Sequence, residues 1–437
     1  MSPAMLRICA PGDPDFAERL RALTSRTAEL PESVDRAARE VIADVRARGD
    51  EAVRALTARF EGRTLGALEL PRSEWHAAAA AVDAEVRTAL ERAAARIGAF
   101  HRCELHPGFD LTDEDGIRLG LRVTPLDRVG LYVPGGTARY PSTVLMTAVP
   151  AKVAGVREVV MVTPGPSPET LAAALVAGVD RVFPIGGAQA IAALAYGTAS
   201  VPRVDKIVGP GNAYVTAAKR LVFGDVGIDM IAGPTEVVIA ADASADPAWV
   251  AADLLAQAEH DALAVPLLVA VGRAVAERVA AEVDRQLALL PRREVAEKAL
   301  RGQGVAFVVD SPAAAIDLVN QLAPEHAGVA LDDAARWAAS VTHAGAVFVG
   351  HHASEAIGDY FAGPSHVLPT GGSARFASPL GVADFLKRTS VIEYDARAVA
   401  RHAADIARLA EVEGLSGHAR SVTARYPSAG GKARGHS

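Results

Sequence analysis

The stretch VGLYVPGGT, residues 129–137, decides the fold. Its first five residues are apolar or small and read as a short buried strand. Pro134-Gly-Gly-Thr137 reads as a turn, and 142–153 follows with helical apolar spacing. The texture repeats downstream. Strand 158–162 leads to helix 170–176, and strand 181–185 leads through Gly186-Gly187 to helix 188–196. Strand 206–208 leads through Gly209-Pro-Gly-Asn212 to helix 213–222. Short apolar strands alternating with helices predict a parallel sheet covered on both faces. A second series starts at 236–240, with further strands at 265–271, 305–309, 328–331 and 345–349 and helices at 248–260, 273–290 and 313–322. The expected fold class is α/β: two Rossmann-like doubly wound parallel-sheet domains plus small helical N-terminal and C-terminal segments.

Upstream, residues 1–23 read as an N-terminal arm, and 33–48, 51–60 and 73–101 carry apolar residues at helical spacing. Beyond about Phe385 the chain turns helical and polar, and it ends in a Gly/Lys/Ser-rich tail. The expected division joins 24–128 with 237–384 as one discontinuous α/β domain, sets 129–236 as the second, and leaves 385–437 as a C-terminal helical segment.

Composition bounds the function. At 437 residues with 50% hydrophobic and 22% charged side chains, the chain is an ordinary globular protein with room for more than one domain. Net charge is −7 and no basic stripe stands out, which argues against a nucleic-acid partner. Apolar runs such as 263–271 fall far short of the roughly 18 residues needed to span a membrane. The N-terminus lacks the apolar core of a signal peptide. Cys9 and Cys103 lie in unrelated contexts and make no disulfide framework, so a reducing cytoplasm is expected.

Four segments carry candidate chemistry. L322-A-P-E-H-A327 sets a carboxylate, Glu325, beside an imidazole, His326, between a predicted helix and a predicted strand. The pair is either a solvated loop or two proton-transfer groups in one small volume. In Q257-A-E-H-D261, Gln257 and His260 are three apart and share a helical face. G358-D-Y-F-A-G-P-S-H366 brings Asp359 and His366, or is a turn capped by Asp; E413-G-L-S-G-H418 brings Glu413 and His418, or is a helix end. Gln257, His260, Asp359 and His418 together would offer nitrogen and oxygen ligands suited to zinc, with no thiolate. The glycine turns at 135–136, 186–187 and 209–212 each follow a strand and precede a helix. They are ordinary tight turns, or together they line a nucleotide site along one sheet edge.

These segments resemble the histidinol dehydrogenase family from about residue 20 to about 425. The resemblance is carried by G130-L-Y-V-P-G-G136, I185-G-G-A-Q189, K206-I-V-G-P-G-N-A-Y214, A232-G-P-T-E236, Q257-A-E-H-D261, A323-P-E-H-A327, G358-D-Y-F-A-G-P-S-H-V-L-P-T370 and E413-G-L-S-G-H418. It implies one zinc ion per subunit held by Gln257, His260, Asp359 and His418. It implies NAD+ contacts from Tyr132, Gln189 and Asn212, which makes 129–236 the NAD-binding domain. Substrate contacts would come from Thr235, His326, Glu413 and the zinc ligands, with His366 nearby. Glu325 and His326 would be the acid–base pair. Thr235 stands where serine is more usual; it keeps the hydroxyl and adds a methyl. The family is a homodimer whose C-terminal segment reaches the partner's site, so Glu413 and His418 would act across the dimer.

The implied reaction suits these residue types. L-Histidinol presents an imidazole and an amine, both zinc ligands, beside a primary alcohol. The alcohol must lose a proton as hydride leaves, a task for His326, and the aldehyde must gain water before a second hydride leaves, a task for Glu325. Two NAD+ would be used per L-histidine formed. The rival readings are a relative oxidising another small amino- or hydroxy-alcohol, a zinc hydrolase using Glu325, and a metal- or nucleotide-binding protein without catalysis.

Overall fold

The computed structural model describes residues 5–26, 30–135 and 139–426. Gly136 and Thr137 of the first glycine turn, and the tail beyond 426, lie outside the described residues. The chain divides into two compact units, 1–104 with 126–385 and 105–125 with 386–437.

The strands in chain order are β1 (Arg7–Cys9), β2 (Phe109–Thr112), β3 (Arg118–Pro125), β4 (Arg128–Tyr132), β5 (Glu158–Val162) and β6 (Arg181–Phe183). They continue with β7 (Lys206–Val208), β8 (Gly227–Ile228), β9 (Glu236–Ala241), β10 (Val265–Val271) and β11 (Val305–Val309). The last are β12 (His326–Ala330), β13 (Ala346–Val349) and β14 (Leu386–Glu393).

In the first unit, one sheet runs β6-β5-β4-β7-β8 and the other β1-β11-β10-β9-β12-β13. All their pairings are parallel. In the five-stranded sheet, and in the six-stranded one apart from edge strand β1, the chain begins at the centre, winds outward to one side, then returns to the centre and winds to the other. The direction reverses between β4 and β7 and between β9 and β12. The central strands β4, β5, β9, β10 and β11 are buried along nearly all their length and largely apolar, because both faces are covered. Along β9, Val237 and Ile239 face a core built with helices Pro247–Ala258 and Arg273–Leu287. Val238 and Ala240 face the opposite core, with Phe307 and helix Pro312–Leu322. The expectation of two doubly wound parallel sheets holds.

Several local expectations differ from the structure. The N-terminal arm is no loose arm throughout: Arg7–Cys9 joins the six-stranded sheet beside β11, with Leu6 and Cys9 buried. The helix expected over 73–101 is two helices, Arg72–Ala80 and Ala84–Arg102. Asp83 breaks them by capping the second, its carboxylate accepting from Glu85 N at 2.7 Å. Helices Glu32–Arg48 and Asp50–Glu61 were expected to join residues 237–384. They instead bury Val41, Ile42, Val45, Val53 and Leu56 against Ile191, Leu194, Val215 and Val222, beside the five-stranded sheet. An apolar stripe states that a helix is covered but not by which sheet.

In the second unit, residues 386–393 form a strand where helix was expected. β14 pairs antiparallel with β3, which pairs on its other side with β2. Most of β14 is exposed, so no apolar run marks it, and its partner lies far earlier in the chain. Helices Ala396–Val412 and Ser416–Thr423 complete the unit. No described helix is long and apolar enough to cross a membrane.

Candidate active site

Helix Pro312–Leu322 stops at Ala323, which adopts the left-handed conformation at φ 46° and donates its N–H to Val319 O at 2.9 Å. That conformation costs a non-glycine residue roughly 1–2 kcal/mol. Pro324 follows and cannot continue the helix. The chain then enters β12 at His326, which lies opposite Val237 of the adjacent β9. Thr235-Glu236 and Glu325-His326 therefore meet at the amino ends of two central strands. This is the edge opposite to the one where open α/β sheets usually bind ligands.

Glu325 is buried. Its Oε2 accepts from the Thr235 hydroxyl at 2.7 Å and from Glu236 N at 2.9 Å. Burial pushes its carboxyl up to about 8, against those two hydrogen bonds and His260, with Asp359 adding to the rise. The His326 ring donates from Nδ1 to Glu236 O at 3.0 Å. That bond leaves the lone pair on Nε2, which is buried, has no hydrogen-bond partner among the described residues and stands 3.8 Å from Asp359 Oδ1. Burial lowers the His326 pKa, so the ring is neutral and able to accept a proton at neutral pH.

His260 and His366 repeat the arrangement. His260 Nδ1 donates to Ala256 O at 3.0 Å, leaving Nε2 free as a ligand atom on an exposed ring. His366 Nδ1 donates to Asp359 O at 3.0 Å, and its Nε2 accepts from the Thr143 hydroxyl at 3.3 Å. Gln257 is fully buried. Its amide is satisfied when the nitrogen donates to both Glu355 carboxylate oxygens, at 2.6 and 2.9 Å, and the oxygen accepts from Thr235 Oγ1 at 2.6 Å. Thr235 has one hydroxyl proton for two acceptors, Glu325 and Gln257, so the protonation of Glu325 and the orientation of Gln257 are coupled.

Thr235, Gln257, Glu325, His326, Asp359 and His366 are thus linked in one network, with His260 close enough to act on the charge of Glu325 and His366. Glu413 and His418 belong to the second unit, at the end of one helix and within the next, and both are exposed. Among the described residues no group of three or more His, Cys, Asp or Glu side chains forms a ready metal cage. Of the expected ligands, Gln257 is an amide and His418 lies in the other unit. The nitrogen and oxygen donors of Gln257, His260 and Asp359, with His260 Nδ1 engaged by Ala256 O and Nε2 left as the ligand atom, fit a borderline cation such as zinc.

Two buried carboxylates here take no role from the sequence, although Glu236 closes the motif A232-G-P-T-E236. Glu236 is bonded to Gly371 N at 2.6 Å and paired with Arg26 at 3.2 Å, and burial raises its carboxyl to about 7. Its backbone holds both Glu325 and His326, so the side chain anchors the strand end on which the pair rests. Glu355, raised well above the usual carboxylate range by burial and by Asp359, fixes Gln257. The available signal was spacing alone: Glu355 stands one helical turn before Asp359, on helix Glu355–Tyr360.

The expected nucleotide residues lie at the carboxyl edge of the five-stranded sheet. Tyr132 ends β4, and its hydroxyl accepts from Gly187 N at 3.1 Å; burial raises the phenol to about 12. Gln189 is buried in the first turn of helix Gly187–Tyr196, and Asn212 caps helix Ala213–Val222 through Tyr214 N and Val215 N, both at 3.1 Å. Gly209, at φ 111°, passes so close to β4 that a Cβ would stand 2.2 Å from Tyr132 O. Lys219 and Asp229, both buried, clamp that glycine from each side through its O at 2.9 Å and N at 2.7 Å. This backbone cradle at the β4/β7 switch point fits a dinucleotide.

Comparison with known proteins agrees with this geometry. The family model for histidinol dehydrogenase matches residues 24–426. A histidinol dehydrogenase of Dechloromonas aromatica is 52% identical, covering 94% of this chain and 97% of the relative. One of Cupriavidus pinatubonensis is 50% identical over 98% of each. A crystal structure of histidinol dehydrogenase from Elizabethkingia anophelis superposes with a TM-score of 0.91 at 33% identity, covering 97% of this chain and 99% of that one. A matched family, half-identical relatives over nearly full length and a shared fold place this chain in the histidinol dehydrogenase family.

Proposed function

We propose that this chain oxidises L-histidinol through L-histidinal to L-histidine, the last two steps of histidine formation, using NAD+ and zinc. The observation that carries the reading is the pairing of Glu325 with His326, whose Nδ1–H is tied to Glu236 O while Nε2 stays free. NAD+ bound at Tyr132, Gln189 and Asn212 supplies the hydride acceptor, two molecules serving each substrate. Gln257, His260, Asp359 and His418 would hold one zinc ion per subunit, which would supply an anchor for the substrate's imidazole and amine and a Lewis acid for its alcohol.

The chain's own groups then divide the proton work. Thr235, His326, His366 and Glu413, with the zinc ligands, hold the substrate. His326 Nε2 takes the alcohol proton as hydride leaves carbon. The Glu325 carboxylate takes a proton from the water that adds to the aldehyde, and the second hydride leaves the hydrated carbon. L-Histidinol, water and two NAD+ thereby yield L-histidine, two NADH and the released protons. Mixing protein with L-histidinol and NAD+ should produce two NADH per substrate, read by absorbance. Two equivalents from another small amino alcohol, and none from histidinol, would assign a different substrate; turnover of an ester or amide without NAD+ would assign a hydrolase.

The ligand set is completed across a homodimer, with Glu413 and His418 of the partner subunit entering each site. Chains carrying His418→Ala and His260→Ala, each inactive alone, should recover activity when unfolded and refolded together. Mixed dimers that form without recovery would place the whole site in one chain. A reducing cytoplasm is the proposed compartment, consistent with Cys9 and Cys103 both being free thiols. No nucleic acid or membrane is a proposed partner.

Glu355 bears on the metal directly. Removing a group that orients a metal ligand typically lowers affinity by about 10–100-fold. Glu355→Ala should weaken zinc binding by that factor in competition with a chromogenic chelator, with the fold intact by circular dichroism. An affinity within about twofold of the parent would mean that Gln257 needs no such support.

A further inference from the structure

Helix Asp50–Glu61, outside the five-stranded sheet's own run of chain, ends at that sheet's carboxyl edge. Glu61 Oε1 accepts from Gly186 N at 3.0 Å and from Gln189 Nε2 at 3.3 Å. Its other oxygen pairs with Arg63, and Arg63 Nη2 also donates to Pro184 O at 2.8 Å. A Cβ on Gly186 would stand 2.8 Å from the Pro164 ring, and one on Gly165 would stand 4.0 Å from Arg63 Nε. The Glu61–Arg63 pair therefore lies between the ends of β5 and β6. Neither side chain is fully covered: Glu61 is 15% exposed and Arg63 31%, so a ligand can reach both.

In a doubly wound nucleotide site, an acid at the end of the second strand bonds the adenosine ribose 2′-hydroxyl, whereas an Arg there accommodates a 2′-phosphate. The second strand of this sheet is β5, and its end reads Thr163-Pro-Gly-Pro-Ser167, with no acid. Glu61 brings a carboxylate to that place from another part of the chain. It also occupies the Arg63 guanidinium beside it.

We propose that Glu61 makes this site select NAD+ over NADP+, its carboxylate accepting from the ribose 2′-hydroxyl while it holds Arg63 away from a 2′-phosphate. The inference rests on the NAD-dependent reading above and adds to it the residue that discriminates. A 2′-phosphate would meet a carboxylate and a cation already neutralised; the unphosphorylated ribose meets an acceptor.

The test is a fluorescence titration of the intact protein with NADH and with NADPH, without substrate. The parent should bind NADH more tightly. Glu61→Gln keeps an acceptor for Gly186 N, removes the charge and frees Arg63, so the ratio of NADPH to NADH dissociation constants should fall by roughly tenfold or more. Glu61→Ser, a second variant in case the first folds poorly, should shift the ratio in the same direction. Adding Arg63→Gln to either should reverse the gain for NADPH. An unchanged ratio in a folded Glu61 variant, with the parent binding NADH, overturns the role of Glu61 alone. A parent that binds neither dinucleotide overturns the NAD reading and this proposal with it.

Discussion

His326→Asn should slow oxidation of L-histidinol by about 100- to 10,000-fold, the usual contribution of a positioned acid–base group. That range corresponds to roughly 2.7–5.4 kcal/mol of transition-state stabilisation. The asparagine amide can still donate to Glu236 O, so the strand edge should survive, but nothing replaces the lone pair on Nε2. Burial keeps the native ring neutral, and the Asp359 carboxylate 3.8 Å away stabilises the imidazolium once the proton has arrived. Oxidation of supplied histidinal should also suffer, since in the proposed mechanism both oxidations occur at the same carbon. A loss below about tenfold across the pH range, in a variant with native stability, would remove His326 from proton transfer.

Glu325→Gln should separate the two oxidations. Glutamine keeps the size of the side chain and an acceptor for Glu236 N but is no base. Single-turnover kinetics should release close to one NADH quickly and the second slowly, the second step being slowed by about 100-fold or more. The pH dependence follows from the raised carboxyl. A group at about 8 is mostly protonated at pH 7 and becomes a base as pH rises, so histidinal oxidation by the parent should increase through pH 8. In Glu325→Gln that rising limb should vanish. Slow alcohol oxidation with normal histidinal oxidation would reverse the roles of the two residues. The double variant should lose less than the product of the single losses, because both groups act on one substrate carbon.

The proposed acid–base pair stands in the sequence as adjacent letters, but adjacency alone did not separate a solvated loop from a buried pair. What separates them is that β12 lies beside β9, which puts Glu236 N against Glu325 and Glu236 O against His326. The supporting carboxylates were invisible for a related reason. Glu236 sits at the head of an apolar strand and Glu355 in a short helix, and neither position marks a buried charge. Glu61 ends an ordinary amphipathic helix, and only the docking of that helix brings it to Gly186.

The sequence by itself determined the α/β class, the main alternation of strands and helices between residues 129 and 349, and the glycine turns. These are local properties: apolar period, the dihedral freedom of glycine and side-chain chemistry show within a dozen residues. Only the tertiary structure decided which sheet the early helices cover and that 386–393 is a strand on a partner far earlier in the chain. It also decided that Thr235-Glu236 and Glu325-His326 meet at the amino ends of β9 and β12. Those outcomes depend on contacts between distant segments, where the burial that stabilises a helix face or shifts a carboxyl toward neutral pH is set by what lies opposite, and no local pattern encodes that.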